Sequence, residues 1–322
     1  YFFLYFKMDI TVFPRLNYNE LQWGKKIGEG ISGTVYRGSY DNLNYALKVY
    51  NSNDELWNNN KDEMLSSIVY ELNTAKKCEG LKRVVQTKGV SYHEENGILT
   101  VVIIMELLES IGDLSDFLQQ KMFWIPQRCE NYMKRNKNSY GIYNYDEQVF
   151  WIFELNIAKK KKLTIMLIEA LIELHGVNII HGDLKTNNLV YHNSNYSEKA
   201  ILKIIDLGVS FQLKENDNLP MDIDYYVGTE GYMAPEQHEH KLSFKSDIYS
   251  LGVIMIEIWN GEVWLDGNGF QECRNEVLKS LRNIENNNLP LGGLIRKCVS
   301  LNDTKRPPLK KLLNSMKELF QV

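Results

Sequence analysis

The stretch Ile180–Val190 reads Ile-His-Gly-Asp-Leu-Lys-Thr-Asn-Asn-Leu-Val, and it constrains this chain more than any other. It sets Asp183, Lys185 and Asn188 in one short loop. An apolar helical pattern, Leu163–Leu174, precedes it, and an apolar run, Ile201–Ile205, follows and ends in Asp206-Leu207-Gly208. Upstream the pattern differs. Lys25–Gly28 and Thr34–Ser39 read as hairpin strands about a Gly-rich turn, and Asn44–Tyr50 as a third strand. Asp54–Cys78 is polar, then helical, with Met64, Leu65, Ile68, Val69 and Leu72 at helical spacing. Val84–Ser91 and Leu99–Glu106 read as two more strands. After Leu108 the pattern is mostly helical, and Ser246–Trp259 is apolar nearly all round, as a core helix would be. The expected class is α+β in two lobes: a 1–17 extension, a small β-rich lobe over 18–108 and a larger helical lobe over 109–322.

With 322 residues, 44% of them hydrophobic, the chain can bury two such cores. A formal net charge of -4 gives no reason to expect nucleic acid as a partner. Cys78, Cys129, Cys273 and Cys298 lie far apart, which implies reduced thiols in an intracellular, cytoplasmic protein and no zinc ribbon. Tyr1–Phe6 is aromatic but too short to span a bilayer, and no basic region marks a signal peptide. Residues 1–7 are read as upstream read-through or an expression remnant, and no transmembrane segment is expected. Gln119–Gln148, with Pro126 and the basic stretch Lys134–Lys137, reads as a surface insertion between two helices. Lys159–Lys162 reads as a solvated helix face. His238 and His240 read as exposed loop residues, since His-Glu-His is not a zinc-protease motif.

The residues then point to phosphate chemistry. Gly28-Glu29-Gly30-Ile31-Ser32-Gly33-Thr34-Val35 is a G-x-G-x-x-G-x-V turn, whose glycines let backbone N–H groups approach phosphate oxygens. A dinucleotide-binding turn would run straight into a helix. Here a strand follows, which fits a flap over a nucleotide. Lys48 lies on the next strand, at the right distance to reach the α- and β-phosphates. Glu71, mid-helix, is the expected partner for Lys48, with Glu63 as runner-up. Phosphoryl transfer from ATP needs a carboxylate to orient the attacking hydroxyl, a cation near the γ-phosphate, and an Asn and a second Asp for Mg²⁺. Asp183, Lys185, Asn188 and Asp206 are those residue types in that order.

From Leu21 to Phe320 the chain resembles the eukaryotic protein kinases, in motif order as well as content. The glycine turn, Ala-Leu-Lys48 and Glu71 come first. His-Gly-Asp-Leu-Lys-Thr-Asn-Asn, Asp-Leu-Gly, Gly228–Glu236 (G-T-E-G-Y-M-A-P-E), Asp247–Gly252 (D-I-Y-S-L-G) and Lys305–Pro307 follow. The resemblance implies a two-lobed kinase-like fold with ATP in the cleft. It implies Asp183 as catalytic base, Lys185 near the γ-phosphate, Lys48 held by Glu71, and Asn188 and Asp206 on Mg²⁺. Ile27, Gly28, Gly30, Gly33, Val35, Ala46 and Val190 fall at nucleotide-contacting positions. Met105 falls at the gatekeeper, Glu106 to Leu108 at the adenine hinge, and Asp113 near the ribose, one residue off the usual spacing. Glu236 with Arg306, and Asp247 beneath the catalytic loop, match structural positions. Lys185 and Thr229 follow the serine/threonine pattern, so the implied partners are protein substrates. Gly182 stands where most members have Arg, and Leu207 replaces the Phe of D-F-G.

Two other readings belong to different classes. A pseudokinase would be expected to lack the lysine, the base or a metal ligand, and this chain has all three. A small-molecule kinase shares H-G-D with an Asn five residues on, but generally lacks the Gly228–Glu236 segment and the Asp247–Gly252 helix start.

Overall fold

Two-residue turns with left-handed backbone shape the first part of the chain. Asp41 and Asn42 have φ of 48° and 59°, and Asn96 and Gly97 have φ of 51° and 81°. Positive φ at both central residues lets a turn follow the right-handed twist of its strands, and Asn, Asp and Gly adopt it at least cost. The first turn joins β2 (Gly33–Tyr40) to β3 (Leu43–Asn51), and the second joins β4 (Thr87–Glu95) to β5 (Ile98–Glu106). With β1 (Gln22–Gly30) these strands form one antiparallel sheet, in the order β1-β2-β3-β5-β4. The computed structural model describes residues 12–30, 33–54, 60–108, 110, 113–118, 123–124, 140–145, 148–153, 155–192, 200–214, 219–224, 226–260 and 269–322.

β5 is the sheet's apolar centre. Val101, Val102, Ile103 and Ile104 are all buried, so residues pointing to either face are covered, and the strand reads as a continuous apolar run. α1 (Lys61–Lys77) begins at Asn60, whose side chain accepts from the Glu63 N–H at 3.2 Å while its own amide donates to Glu63. Met64, Leu65, Ile68 and Leu72 form its buried stripe. β4 starts at Thr87, not at Val84 as the apolar pattern predicts. The cause is Gln86, whose side-chain amide donates to the carbonyls of Cys78, Leu81 and Val84. It accepts from the Gly80 N–H at 2.8 Å. That staple tethers the 78–86 backbone, and Val84, at an isolated bridge position, and Val85 are buried outside β4.

The chain divides into two compact units. One runs to Leu108 and includes Asp206–Gln212, and the other comprises Glu109–Ile205 and Leu213–Val322. The second unit is mainly helical. It holds α2 (Leu114–Leu118), α3 (Ile157–Gly176), α4 (Phe244–Asn260), α5 (Phe270–Asn287), α6 (Leu289–Cys298) and α7 (Leu309–Phe320). Every residue from Ser246 to Ile258 on α4 is buried. A Cβ on Gly252 would lie 2.8 Å from side-chain atoms of Cys298 and Val299, so the absence of one lets α4 sit close against the end of α6. β6 (Phe123–Trp124) and β7 (Tyr140–Tyr145) fall within the Gln119–Gln148 region read as an insertion, and β8 (Gln148–Phe153) runs on past its end; the three form an antiparallel sheet in the order β6-β8-β7. Pro126, Cys129 and Lys134–Lys137 lie outside the described residues, as do residues 1–11. Among the described residues no helix is long and apolar enough to cross a membrane.

Two surface expectations are corrected. The Lys159–Lys162 run is not a fully solvated face. Lys160 is half-buried, and its ammonium donates to the Trp259 carbonyl near the end of α4 at 2.8 Å. Burial lowers its pKa. The carbonyls at a helix C-terminus lack intrahelical donors and attract a cation, which accounts for the contact. His238 is also half-buried, packed 4.8 Å from the Phe270 ring, whereas His240 is exposed.

Candidate active site

Strand alternation puts Ala46, Lys48 and Tyr50 on one face of β3 and Leu47 on the other. Across the register Ala46 opposes Met105, and Lys48 lies between Val35 on β2 and Ile103 on β5. Lys48 is 6% exposed. Its ammonium donates to both Glu71 oxygens at 2.9 and 3.1 Å, and to Oδ1 of Asp206 at 3.1 Å. Burial alone would lower the pKa of this lysine, but Asp206 and Glu71 outweigh that effect and raise it well above the ordinary value. A buried ammonium with two carboxylates is therefore held charged. Glu63, the runner-up partner, is exposed in the first turn of α1 and engages Asn60.

Tyr50 completes this cluster and was not singled out from the sequence. Its hydroxyl donates to Oε2 of Glu71, and its ring centroid lies 5.4 Å from the Lys48 ammonium. Burial, then the Glu71 charge, raises the Tyr50 pKa well above that of a free phenol, so it stays a donor. The two-residue step from Lys48 was the available signal, since strand residues i and i+2 share a face. Gly208 is equally constrained. Its N–H donates to Asp206 Oδ1 at 3.0 Å, and a Cβ there would lie 3.2 Å from that oxygen and 3.4 Å from Glu71 Oε2. Any side chain at 208 would crowd the charge cluster. Leu207 is 3% exposed, an apolar residue beside the Asp206 carboxylate.

The glycine turn closes the β1–β2 hairpin: Gly28 pairs with Val35, and Gly30 with Gly33. Gly33 has φ of 149°, and a Cβ there would fall 2.5 Å from the Val49 carbonyl oxygen. Ile31 and Ser32 lie outside the described residues. Ile27 is exposed, Val35 and Leu108 are half-buried, and Met105 is buried. The Glu106 N–H donates to the Gln86 carbonyl at 2.9 Å, and its side chain accepts from the Gln86 N–H at the same distance.

In the helical unit, Asp247 near the start of α4 is 1% exposed and accepts from the His181 and Gly182 N–H groups at 2.8 and 3.0 Å. His175, in the last turn of α3, also meets it at 2.8 Å. The loop that follows places Asp183, Lys185 and Thr229 in one cluster. The Thr229 hydroxyl donates to Asp183 Oδ1 at 2.6 Å, and the Lys185 ammonium donates to that hydroxyl at 2.7 Å. Lys185 also pairs with Asp183 Oδ2 at 2.9 Å. The Asn188 amide nitrogen donates to the Asp183 carbonyl at 2.8 Å, which turns its oxygen end the other way. Val190 is buried on β9 (Leu189–His192), which pairs with β10 (Ile201–Ile204). Asp113 accepts from the Asp116 N–H at the start of α2 at 2.8 Å and from the Asn187 amide at 3.1 Å.

Glu236 and Arg306 form a bidentate pair at 2.5 and 2.8 Å. Arg306 is 1% exposed and also donates to the Ser300 and Lys245 carbonyls. Burial pushes the Glu236 carboxyl up, but its bonds to Arg306 outweigh that and leave its pKa lowered. The Tyr232 hydroxyl bonds both Glu257 oxygens at 2.9 Å and the Thr186 hydroxyl at 3.0 Å, a buried contact that sequence reading also missed.

Residues 21–316 match the protein kinase domain family. The chain is 31% identical over 252 residues to a probable serine/threonine-protein kinase 2 of Plasmodium falciparum, covering 77% of this chain and 39% of that protein. It is 24% identical over 326 residues to the RGS domain-containing serine/threonine-protein kinase A of Dictyostelium discoideum, covering 98% and 24%. It is 25% identical over 253 residues to the dual specificity protein kinase zak2 of the same organism, covering 76% and 37%. The chain thus spans well under half the length of these relatives.

Proposed function

The chain belongs to the protein kinase family, and on that premise we propose that it is a protein serine/threonine kinase. It would transfer the γ-phosphate of ATP to Ser or Thr hydroxyls of protein substrates, with Mg²⁺. The observation that carries this reading is the Asp183–Lys185–Thr229 cluster. A carboxylate that must receive a hydroxyl proton has to be ionised and fixed in direction. Thr229 and Lys185 hold one oxygen each, and Asp247 fixes the backbone before Asp183.

The residues present fit the nucleotide and the metal. Lys48 is a buried cation kept charged by Glu71 and Asp206, as a group that meets phosphate oxygens must be. Mg²⁺ is usually held by one or two protein carboxylates together with phosphates and water. No cluster of three or more His, Cys, Asp or Glu side chains that could hold a metal occurs among the described residues. Asp206 and Asn188 are the residues that would hold it. When bound, ATP supplies the phosphoryl group and Mg²⁺ neutralises phosphate charge. Lys48 orients the phosphates, Glu71 and Tyr50 orient Lys48, and Asp183 orients the acceptor hydroxyl. Ile27, Val35, Ala46, Met105, Leu108 and Val190 would contact the adenine, and Glu106 would bond it through its backbone. Asp113, engaged in capping α2, remains the candidate for the ribose.

Gly182 is part of the same proposal. It has φ of 79°, a backbone state that favours glycine, and it brings no guanidinium to receive a phosphate. Control by a phosphate on the 206–236 segment is therefore expected to be weak. A cytoplasmic location is also proposed, on the well-separated cysteines, of which Cys78 and Cys298 are buried thiols with pKa pushed up to about 12.

The test is incubation of the purified protein with γ-labelled ATP, Mg²⁺ and generic protein substrates, followed by phosphoamino-acid analysis. Label on serine and threonine is expected. Label on tyrosine alone, or only on a sugar or amine acceptor, would overturn the reading.

A further inference from the structure

Gln237 follows the Ala-Pro-Glu triplet and is 1% exposed. It sits at the third position of the short helical turn Pro235–Glu239, where its side-chain oxygen accepts from the Ala234 N–H at 2.9 Å. A glutamine serving only as such a cap needs its oxygen alone. Here the amide nitrogen is also used. It donates to the Gly182 carbonyl at 2.9 Å and to the Val227 carbonyl at 3.1 Å. From Gln237, 55 residues on from Gly182, one buried amide thus joins the loop at Gly182 to two points of the 227–234 segment.

The Gly182 carbonyl belongs to the peptide bond that leads into Asp183. The Gly182 N–H, on the other side of the same residue, is held by Asp247 at 3.0 Å. Both peptide groups around this left-handed glycine are therefore gripped, one by Asp247 and one by Gln237. Room for the glutamine comes from Gly228, with φ of 121°, where a Cβ would lie 3.1 Å from the Gln237 amide nitrogen and 2.6 Å from Met233. A buried carbonyl left without a donor is costly, so replacing the amide would let the 182–183 peptide turn away.

We propose that Gln237 is a positioning residue that sets the direction of the Asp183 carboxylate by tying the Gly182 carbonyl to the 227–234 segment, with no phosphate required. This rests on the kinase reading above. It adds a built-in brace at the place where Gly182 offers no side chain.

Two variants test it. Gln237→Met keeps the volume and removes the donors, and Gln237→Glu replaces the donor nitrogen with a carboxyl oxygen that can donate only when protonated. Peptide phosphorylation is measured from pH 5.5 to 8.5 alongside wild type and Asp183→Asn, with melting temperature and KM for ATP recorded for each. Gln237→Met is expected to lose about tenfold or more in kcat with KM for ATP within twofold. Gln237→Glu is expected to regain kcat relative to wild type as pH falls, because the protonated carboxyl again donates to Gly182. That recovery would also report the brace if Gln237→Met fails to fold. Both variants within twofold of wild type at every pH would overturn the proposal, and so would losses of kcat and ATP affinity in parallel with no pH recovery. Absence of transfer by the wild-type protein would instead refute the kinase reading itself.

Discussion

The Tyr50 hydroxyl donates to the same Glu71 carboxylate that pairs with Lys48, so the helix carboxylate is held from two positions of one strand. The three residues form a chain of dependence, because only Lys48 would meet the nucleotide. Lys48→Met is predicted to reduce kcat/KM for peptide phosphorylation on the order of 10²-fold. Glu71→Gln should cost about tenfold, and Tyr50→Phe a few-fold, since one hydrogen bond to a charged group is lost and the carboxylate keeps Lys48. Glu63→Gln should be nearly silent, because Glu63 is exposed and meets Asn60. Steady-state kinetics on the four variants checks the order. Crippling by Glu63→Gln with Glu71→Gln silent would mean that the wrong helix carboxylate has been assigned.

A second prediction concerns the Glu236–Arg306 pair. Breaking one side of a buried, hydrogen-bonded pair typically costs about 3–5 kcal/mol. Arg306→Leu is therefore predicted to lower the melting temperature by several degrees at pH 7. The folded Glu236 carboxyl is lowered below its unfolded value, roughly 4.3 for a free glutamate, so its contribution is complete above that range. The contribution is lost as pH falls through the folded pKa, and the gap between wild type and Arg306→Leu should narrow in acid. Melting curves at neutral and acid pH measure this, and a gap that widens in acid would contradict it.

Much of the first unit was legible because its information is local. Strand-like apolar segments located β3 and β5, and a mid-helix position singled out Glu71. The Asp41-Asn42 and Asn96-Gly97 turns are local signals of the same kind, though they were not singled out from the sequence. The loop at 181–188 was legible because its residue types and spacing recur as a set. What stayed hidden depends on side chains meeting backbone far away in sequence. Gln86 tethers the 78–86 backbone, and β4 begins at Thr87 although Val84 and Val85 extend its apolar pattern. Lys160 meets a carbonyl 99 residues on, and Gln237 meets one 55 residues back. Periodicity carries no record of such contacts. Tyr50 was within reach of the two-residue rule but carried no motif to draw attention to it.

The third prediction concerns phosphate control. In the 206–236 segment Ser210 is 1% exposed, and Thr229 is engaged with Asp183 and Lys185. The Tyr226 hydroxyl meets Glu230, a carboxylate that would repel an added phosphate. Tyr225 lies outside the described residues. Phosphatase treatment is predicted to leave peptide kinase activity within about threefold, short of the gain expected where charge-assisted bonds order a loop. Specific activity before and after treatment, with mass spectrometry to confirm phosphate removal, measures it. A loss of tenfold or more that autophosphorylation restores would show that another cation receives the phosphate.

The most direct measurement is a comparison of wild type with Asp183→Asn in two assays, phosphoryl transfer to peptide serine or threonine and equilibrium binding of ATP. On the proposed reading, the Asp183 carboxylate, held by Thr229 and Lys185, orients an acceptor hydroxyl and does not meet the nucleotide. Loss of a general base typically costs about 10²–10⁴-fold. The predicted result is a transfer rate reduced by that order with ATP affinity within about twofold. Transfer near the wild-type rate, or loss of ATP binding with no separate loss of transfer, would contradict the assignment of Asp183 as the base.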